Sequence, residues 1–210
     1  MPTRIVLADD HVLVRQGLKS LLERENFQVM GEASDGQEAV KLIETHHPDI
    51  AIMDISMPIL NGIDAARGLS RSAPKTKVIL LTQHEEEQYI HEALEAGVKG
   101  YVLKNQVAND LIQAIRQVGR GEFYLSPGIS RAVMEAFRNK SERPADPLTA
   151  RERQVLQLIA EGKSTKDTAS VLGISVKTAE SHRMRLMQKL DIHETASLVR
   201  YAVRRGLIQP

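Results

Sequence analysis

Five short, mainly apolar runs set the terms for the first 120 residues: 5–8, 29–33, 50–53, 78–81 and 101–103. Each is too short for a helix and lacks the strict alternation of a half-exposed strand. Strands of that kind belong to parallel sheets covered on both faces. Amphipathic stretches lie between them, such as Glu38, Ala39, Val40, Leu42 and Ile43, or Ile90, Ala93, Leu94 and Gly97. A last helix near 108–117 follows. Five βα units in this length predict a doubly wound α/β domain with a five-stranded parallel sheet.

In such a sheet, ligands collect at the carboxyl ends of the strands, beside the point where strand order reverses. Polar residues stand at four of these ends: Asp9 and Asp10 after the first run, Asp54 after the third, Thr82 after the fourth and Lys104 after the fifth. Alone, each reads as a turn, a helix cap or a solvated strand end. Together they place three carboxylates, a hydroxyl and an ammonium in one crevice. Adjacent carboxylates repel unless a cation sits between them. Hard oxygen ligands suit Mg²⁺. Lys104 and Thr82 could hold phosphoryl oxygens, and Asp54 could attack phosphorus. His11 reads as a helix-start residue rather than a ligand.

These segments carry a resemblance. "LADDH", "IMDISMPILNG", "LLTQH" and "GYVLK" resemble the signature segments of the receiver domain of bacterial two-component response regulators, over about residues 3–120. The resemblance implies Asp54 as phosphoacceptor for a sensor histidine kinase. It implies Mg²⁺ held by Asp9, Asp10, Asp54 and the backbone carbonyl of Ser56, and Thr82 with Tyr101 as a switch pair. Met57, Pro58 and Gly62 match the loop after the phosphorylated Asp. The sequence departs from the pattern at Asn105, where many receivers have Pro, and at Gln83, where many have a small residue.

Residues 123–145 hold Gly, Pro and Ser near both ends and predict a linker with a short helix. From 146 to 210 the pattern is all-helical. "LTARERQVLQLIAEG" contains a capping box from Thr149 to Glu152, and Gly162 is a helix stop. Shorter helices follow near 165–172, Val176–Leu190 and 195–205, with Gly173 as the turn and Ser175 as a cap. At about 100° per residue, Ala179, Leu186 and Leu190 share one face of Val176–Leu190, with His182 and Arg183 beside them. Lys177, Ser181, Met184 and Gln188 share the opposite face. Periodicity alone also fits a solvated amphipathic helix.

The whole segment is similar to the LuxR-type helix-turn-helix of the NarL/FixJ class. That resemblance makes Val176–Leu190 a recognition helix for double-stranded DNA. Groove-facing candidates are Lys177, Glu180, Ser181 and Met184; phosphate contacts fall to Thr178, His182, Arg183, Arg185 and Lys189. The last helix would form a homodimer through Ala196, Val199, Arg200 and Val203.

Charge agrees with two modules. Residues 1–122 carry 13 Lys/Arg against 18 Asp/Glu, whereas residues 146–210 carry 11 against 7. An acidic front and a basic back predict different partners. The absence of Cys excludes disulfides and thiolate chemistry. No apolar run approaches a membrane span, so a cytoplasmic protein is expected. Two other readings stay open. A haloacid-dehalogenase-like phosphatase also combines Asp, Thr or Ser, Lys and Mg²⁺, although its nucleophile lies two residues before a second Asp on the first strand. A receiver that works without phosphate, as a dimerisation platform, is compatible with Gln83 and Asn105.

Overall fold

The computed structural model describes residues 2–83, 87–129 and 146–208, without the side chains of Glu87, Gln88 and residues 107–109. These residues belong to two compact units, the second holding the residues from 146 on. Each is taken by itself.

The first unit is a parallel sheet: β1 (Arg4–Ala8), β2 (Gln28–Ala33), β3 (Ile50–Asp54), β4 (Lys77–Thr82), β5 (Gly100–Leu103) and β6 (Tyr124–Leu125), in spatial order β2-β1-β3-β4-β5-β6. Its helices are α1 (Val12–Arg24), α2 (Gly36–His46), α3 (Gly62–Ser72), α4 (Glu87–Glu95) and α5 (Val107–Gly119). The central strands are apolar on both faces because both are covered. Ile5, Leu7, Ile50, Ile52, Ile79, Leu81 and Val102 pack against Leu18 and Leu22 of α1 and Leu111, Ala114, Ile115 and Val118 of α5. Helices α2 and α3 pack against the sheet as well, with α4 beside α3. The order reverses between β1 and β3, so the crevice of the switch point opens between Asp9 and Asp54.

The sheet has six strands, not the five expected. The sixth falls at the start of the segment read as a linker. Tyr124 and Leu125 pair with Gly100 and Tyr101 in parallel, and a 3-10 turn at Pro127–Ile129 follows. Two residues are too few for any periodicity to register. The short helix expected within 123–145 lies, from residue 130 on, outside the described residues.

The second unit contains α6 (Ala150–Ala160), α7 (Thr165–Val171), α8 (Val176–Leu190) and α9 (Thr195–Arg204). Its core joins Leu148, Val155, Leu156, Ile159, Leu186, Leu198, Ala202 and Leu207. The capping box is formed: the Thr149 side chain accepts from the Glu152 N–H, and Glu152 accepts from the Thr149 N–H. Ser164 builds a second box with Asp167. The turn between α7 and α8 passes through Gly173 at φ +63°, a left-handed conformation that favours glycine, and Ser175 caps α8. Among the described residues, no helix is long and apolar enough to cross a membrane.

Candidate functional site

The β1–β3 register pairs Ala8 with Met53, which sets Asp9 and Asp54 at adjoining strand ends. The β4–β5 register pairs Thr82 with Leu103, one residue before Lys104. Parallel pairing thus gathers residues from 9 to 104 at one rim. Asp9, Asp54 and Thr82 are all buried. Lys104 Nζ lies 2.8 Å from Asp9 Oδ2 and 2.8 Å from Asp54 Oδ2. Asp10 completes the acidic group and keeps about a third of its side chain, 34 %, in water.

Among the described residues, the Lys104 ammonium pairs with Asp9 and Asp54, and Asp10 stands beside them as a third carboxylate. Burial pushes the Asp54 carboxyl above the usual carboxylate range, against the pull of Lys104 and with a further push from Asp9. Burial also works against the charge on Lys104, yet Asp54 and Asp9 outweigh it and hold the ammonium above its ordinary value. Oxygen or nitrogen atoms of Asp9, Asp10, His11 and Asp54 lie within 4.8 Å of one another. Hard carboxylate oxygens, one of them open to water, fit Mg²⁺, which keeps several of its waters.

His11 stands at the N-cap of α1, as the sequence suggests, but its side chain makes no cap bond. Its Nδ1 is instead 2.8 Å from Asp10 Oδ1. The Ser56 N–H donates to Asp54, which places that backbone beside the carboxylate. A Cβ added at Gly62 would come within 2.2 Å of the Asp54 carbonyl oxygen, so the chain folds back over the strand end only because residue 62 has no side chain. Tyr101 is already turned inward, 2 % exposed. Gln83 is exposed, and Asn105 sits in a 3-10 turn at Lys104–Gln106. One residue that positions the site escapes sequence reasoning. Arg15 donates from Nη1 to the Asp9 carbonyl at 2.6 Å and pairs with Glu32 through Nε at 3.6 Å. A bond to a backbone carbonyl leaves no residue pattern; the only signal is a cation one turn into the helix after the acidic pair.

In the second unit, α8 buries Ala179 and Leu186. Lys177, Thr178, Glu180, Met184 and Arg185 are exposed, and Met184 is 60 % exposed despite its apolar side chain. Ser181 is half-buried, and its hydroxyl donates back to the Lys177 carbonyl at 2.9 Å. Three of the residues expected at phosphates have partners or surroundings within the unit. Lys189 is drawn to the buried Glu152 at 2.7 Å, because a carboxylate out of water needs a cation. His182 is half-buried with Nδ1 enclosed. The Arg183 guanidinium donates to Thr195 Oγ1 at 2.9 Å. On α9, Leu198 and Ala202 enter the core, which turns Ala196 and Arg200 fully outward and Val199 and Val203 partly so.

Comparison with known proteins agrees with both halves. Residues 5–116 match the family model of the response regulator receiver domain. Residues 146–202 match that of the bacterial regulatory proteins of the luxR family. The oxygen regulatory protein NreC of Staphylococcus carnosus is 39 % identical over 98 % of this chain and 99 % of its own. The transcriptional regulatory protein MctR of Rhizobium johnstonii is also 39 % identical, over 98 % of this chain and 95 % of its own. Among solved structures, the RcsB response regulator of Salmonella typhimurium superposes with a TM-score of 0.66 at 26 % identity, covering 97 % of this chain and 98 % of its own. A structure of RcsB in complex with DNA superposes at 0.61 with 27 % identity, covering 96 % and 98 %. The strand-end carboxylates and the capped helix-turn-helix thus lie in one chain of recognised make-up, and that chain belongs to the NarL/FixJ class of DNA-binding two-component response regulators.

Proposed function

We propose that Asp54 accepts a phosphoryl group from a sensor histidine kinase and that this controls DNA binding by α8. The observation that carries the reading is the convergence of Asp9, Asp10 and Asp54 on one rim with Lys104 2.8 Å from two of them. Asp9, Asp10, Asp54 and the Ser56 carbonyl would hold Mg²⁺. When bound, the ion supplies positive charge to the carboxylates and to a phosphoryl oxygen.

An Asp54 oxygen attacks phosphorus as the bond from phosphorus to the donor's nitrogen breaks. The leaving imidazole keeps that electron pair and takes a proton from solvent, and Asp54 becomes an acyl phosphate. Lys104 would pair with one phosphoryl oxygen and Thr82 would donate to another. Tyr101, already inside, would act with Thr82 to hold the outer face of β5 in one of two arrangements.

In the second unit, Lys177, Glu180, Ser181 and Met184 would face base edges. Thr178 and Arg185 would hold phosphates. Lys189, His182 and Arg183 remain candidates only if DNA draws them from their present partners or surroundings. The strip Ala196, Val199, Arg200 and Val203 repeats at helical spacing on the outer face of α9, which fits a symmetric contact with a second copy.

Intact mass after incubation with acetyl phosphate and Mg²⁺ tests the reading. The native chain should gain one phosphoryl group and Asp54→Ala should gain none. The same adduct on both proteins would place the acceptor elsewhere. No adduct on folded native chain would leave the first unit as a phosphate-independent platform.

A further inference from the structure

The chain does not leave the sheet at the end of α5. It runs on into β6, and the side chain just after that strand joins it to the phosphoacceptor rim. Ser126 is fully buried. Its N–H donates to the Tyr101 carbonyl at 3.0 Å. Its hydroxyl accepts from the Leu103 N–H at 3.2 Å and donates to Asp110 Oδ2 of α5 at 2.6 Å. Its carbonyl accepts from the Ile129 N–H at 2.9 Å, closing the 3-10 turn. Every polar group of this residue is therefore committed. Two of the bonds reach β5, on either side of Val102: one at Tyr101, the other at the residue before Lys104.

The neighbourhood supports the same joint. The Tyr124 N–H donates to the Lys99 carbonyl at 3.1 Å. The Tyr124 hydroxyl is pushed up to about 12, first by burial and then by Asp110, which also bonds to it. One carboxylate on α5 thus holds both Tyr124 and Ser126. Ile129 is fully buried, and a Cβ at Gly128 would already stand 3.3 Å from Leu103 Cδ1. A flexible exit from the domain would need none of these bonds. A buried hydroxyl bonded on both sides fixes one geometry, because any shift leaves a donor or acceptor unpaired.

We infer that Ser126, held by Asp110, couples the phosphoacceptor rim to the chain beyond it: it ties the end of β5, which bears Tyr101 and precedes Lys104, to the segment through which the chain continues toward its DNA-binding helices. Movement of β5 on phosphorylation then cannot occur without moving β6. The inference rests on Asp54 being phosphorylated.

Amide hydrogen exchange on the full chain, with Mg²⁺ and with or without acetyl phosphate, tests it, with intact mass recorded on the same samples. Without donor, Ser126→Ala should raise exchange of residues 122–129 about tenfold, the effect of losing bonds worth about 1.4 kcal/mol together. With donor, the native chain should change exchange in 100–106 and 122–129 together. Ser126→Ala should form the same adduct and change 100–106 alone, a loss of response that simple loosening of the strand does not produce. Should Ser126→Ala fail to fold, Asp110→Asn keeps the Leu103 bond and weakens the link to α5; it should reduce the response of 122–129 about threefold. An adduct on the native chain with 122–129 unchanged, or variants that respond like the native chain, would overturn the inference and leave the acceptor role standing. Folded native chain with no adduct would remove both.

Discussion

Lys104 is the residue on which the rim depends. It sits mostly buried between Asp9 and Asp54, and its removal leaves two carboxylates out of water without a counter-ion. Breaking such a pair costs several kcal/mol. Lys104→Met should lower stability by about 3 kcal/mol at pH 7 in the presence of a chelator, measured by urea unfolding. The sign with pH follows from the direction of the Asp54 shift. A carboxyl whose folded value lies above its unfolded one weakens the fold as pH rises past the unfolded value. Without Lys104 that shift grows, so the deficit should widen from pH 5 to pH 8 and shrink when Mg²⁺ is added. A deficit that is flat with pH would mean that Asp9 and Asp54 share no charge problem. Asp9, Asp10, Asp54 and Lys104 were legible because the strand-end rule needs only the positions of apolar runs. Arg15 was not, since it acts on a carbonyl, and Ser126 falls in the segment whose composition reads as a linker, where nothing marks a buried hydroxyl.

Among elements, α6 and α8 are joined by more than apolar packing. Glu152 serves the capping box and also holds Lys189 at 2.7 Å. Burial pushes its carboxyl up, but the Lys189 and Thr149 bonds outweigh burial and leave it below its ordinary value. A depressed folded value contributes stability that is present above the unfolded value and lost as pH falls through the folded one. Glu152→Gln keeps an oxygen for the Thr149 N–H but loses the charge that pairs Lys189, so it should cost about 1 kcal/mol at pH 7, and the gap from the native chain should narrow as pH falls below the ordinary glutamate range. Urea midpoints across that range check it; a gap that does not narrow with acid would assign the loss to shape alone. The helices were read closely from sequence. The expected Val176–Leu190 is the observed α8, and the expected 195–205 differs from α9 by one residue. Side-chain pairing was not readable. The resemblance gives Lys189 to a DNA phosphate, and no spacing rule links it to a glutamate 37 positions earlier. The sixth strand was missed for a related reason, since its identity lies in what it pairs with.

At the scale of the molecule, an acidic module and a basic one share a chain of net charge +1. The basic excess lies in residues 146–210, so binding to duplex DNA should fall steeply with salt. Arg185→Ala should weaken binding to all sequences alike and reduce the slope of log affinity against log salt by about 1, whereas Met184→Ala should change the ranking of sequences more than the slope. Titrations of several duplexes at three salt concentrations separate the two; a sequence-dependent loss in Arg185→Ala would move that residue to a base edge. The two-residue strand β6 has a practical consequence for anyone dividing the protein. A fragment cut at residue 122, where composition changes, strips β5 of its outer neighbour and bares the backbone groups at Lys99, Tyr101 and Leu103 that now bond to Tyr124 and Ser126. A bared parallel strand is a template for sticking to another copy. The same fragment ended at residue 129 keeps its own short, blunt border. The first should self-associate in light scattering at concentrations where the second stays monomeric, and a dimer seen in the first would report the position of the cut instead of the biology of the regulator.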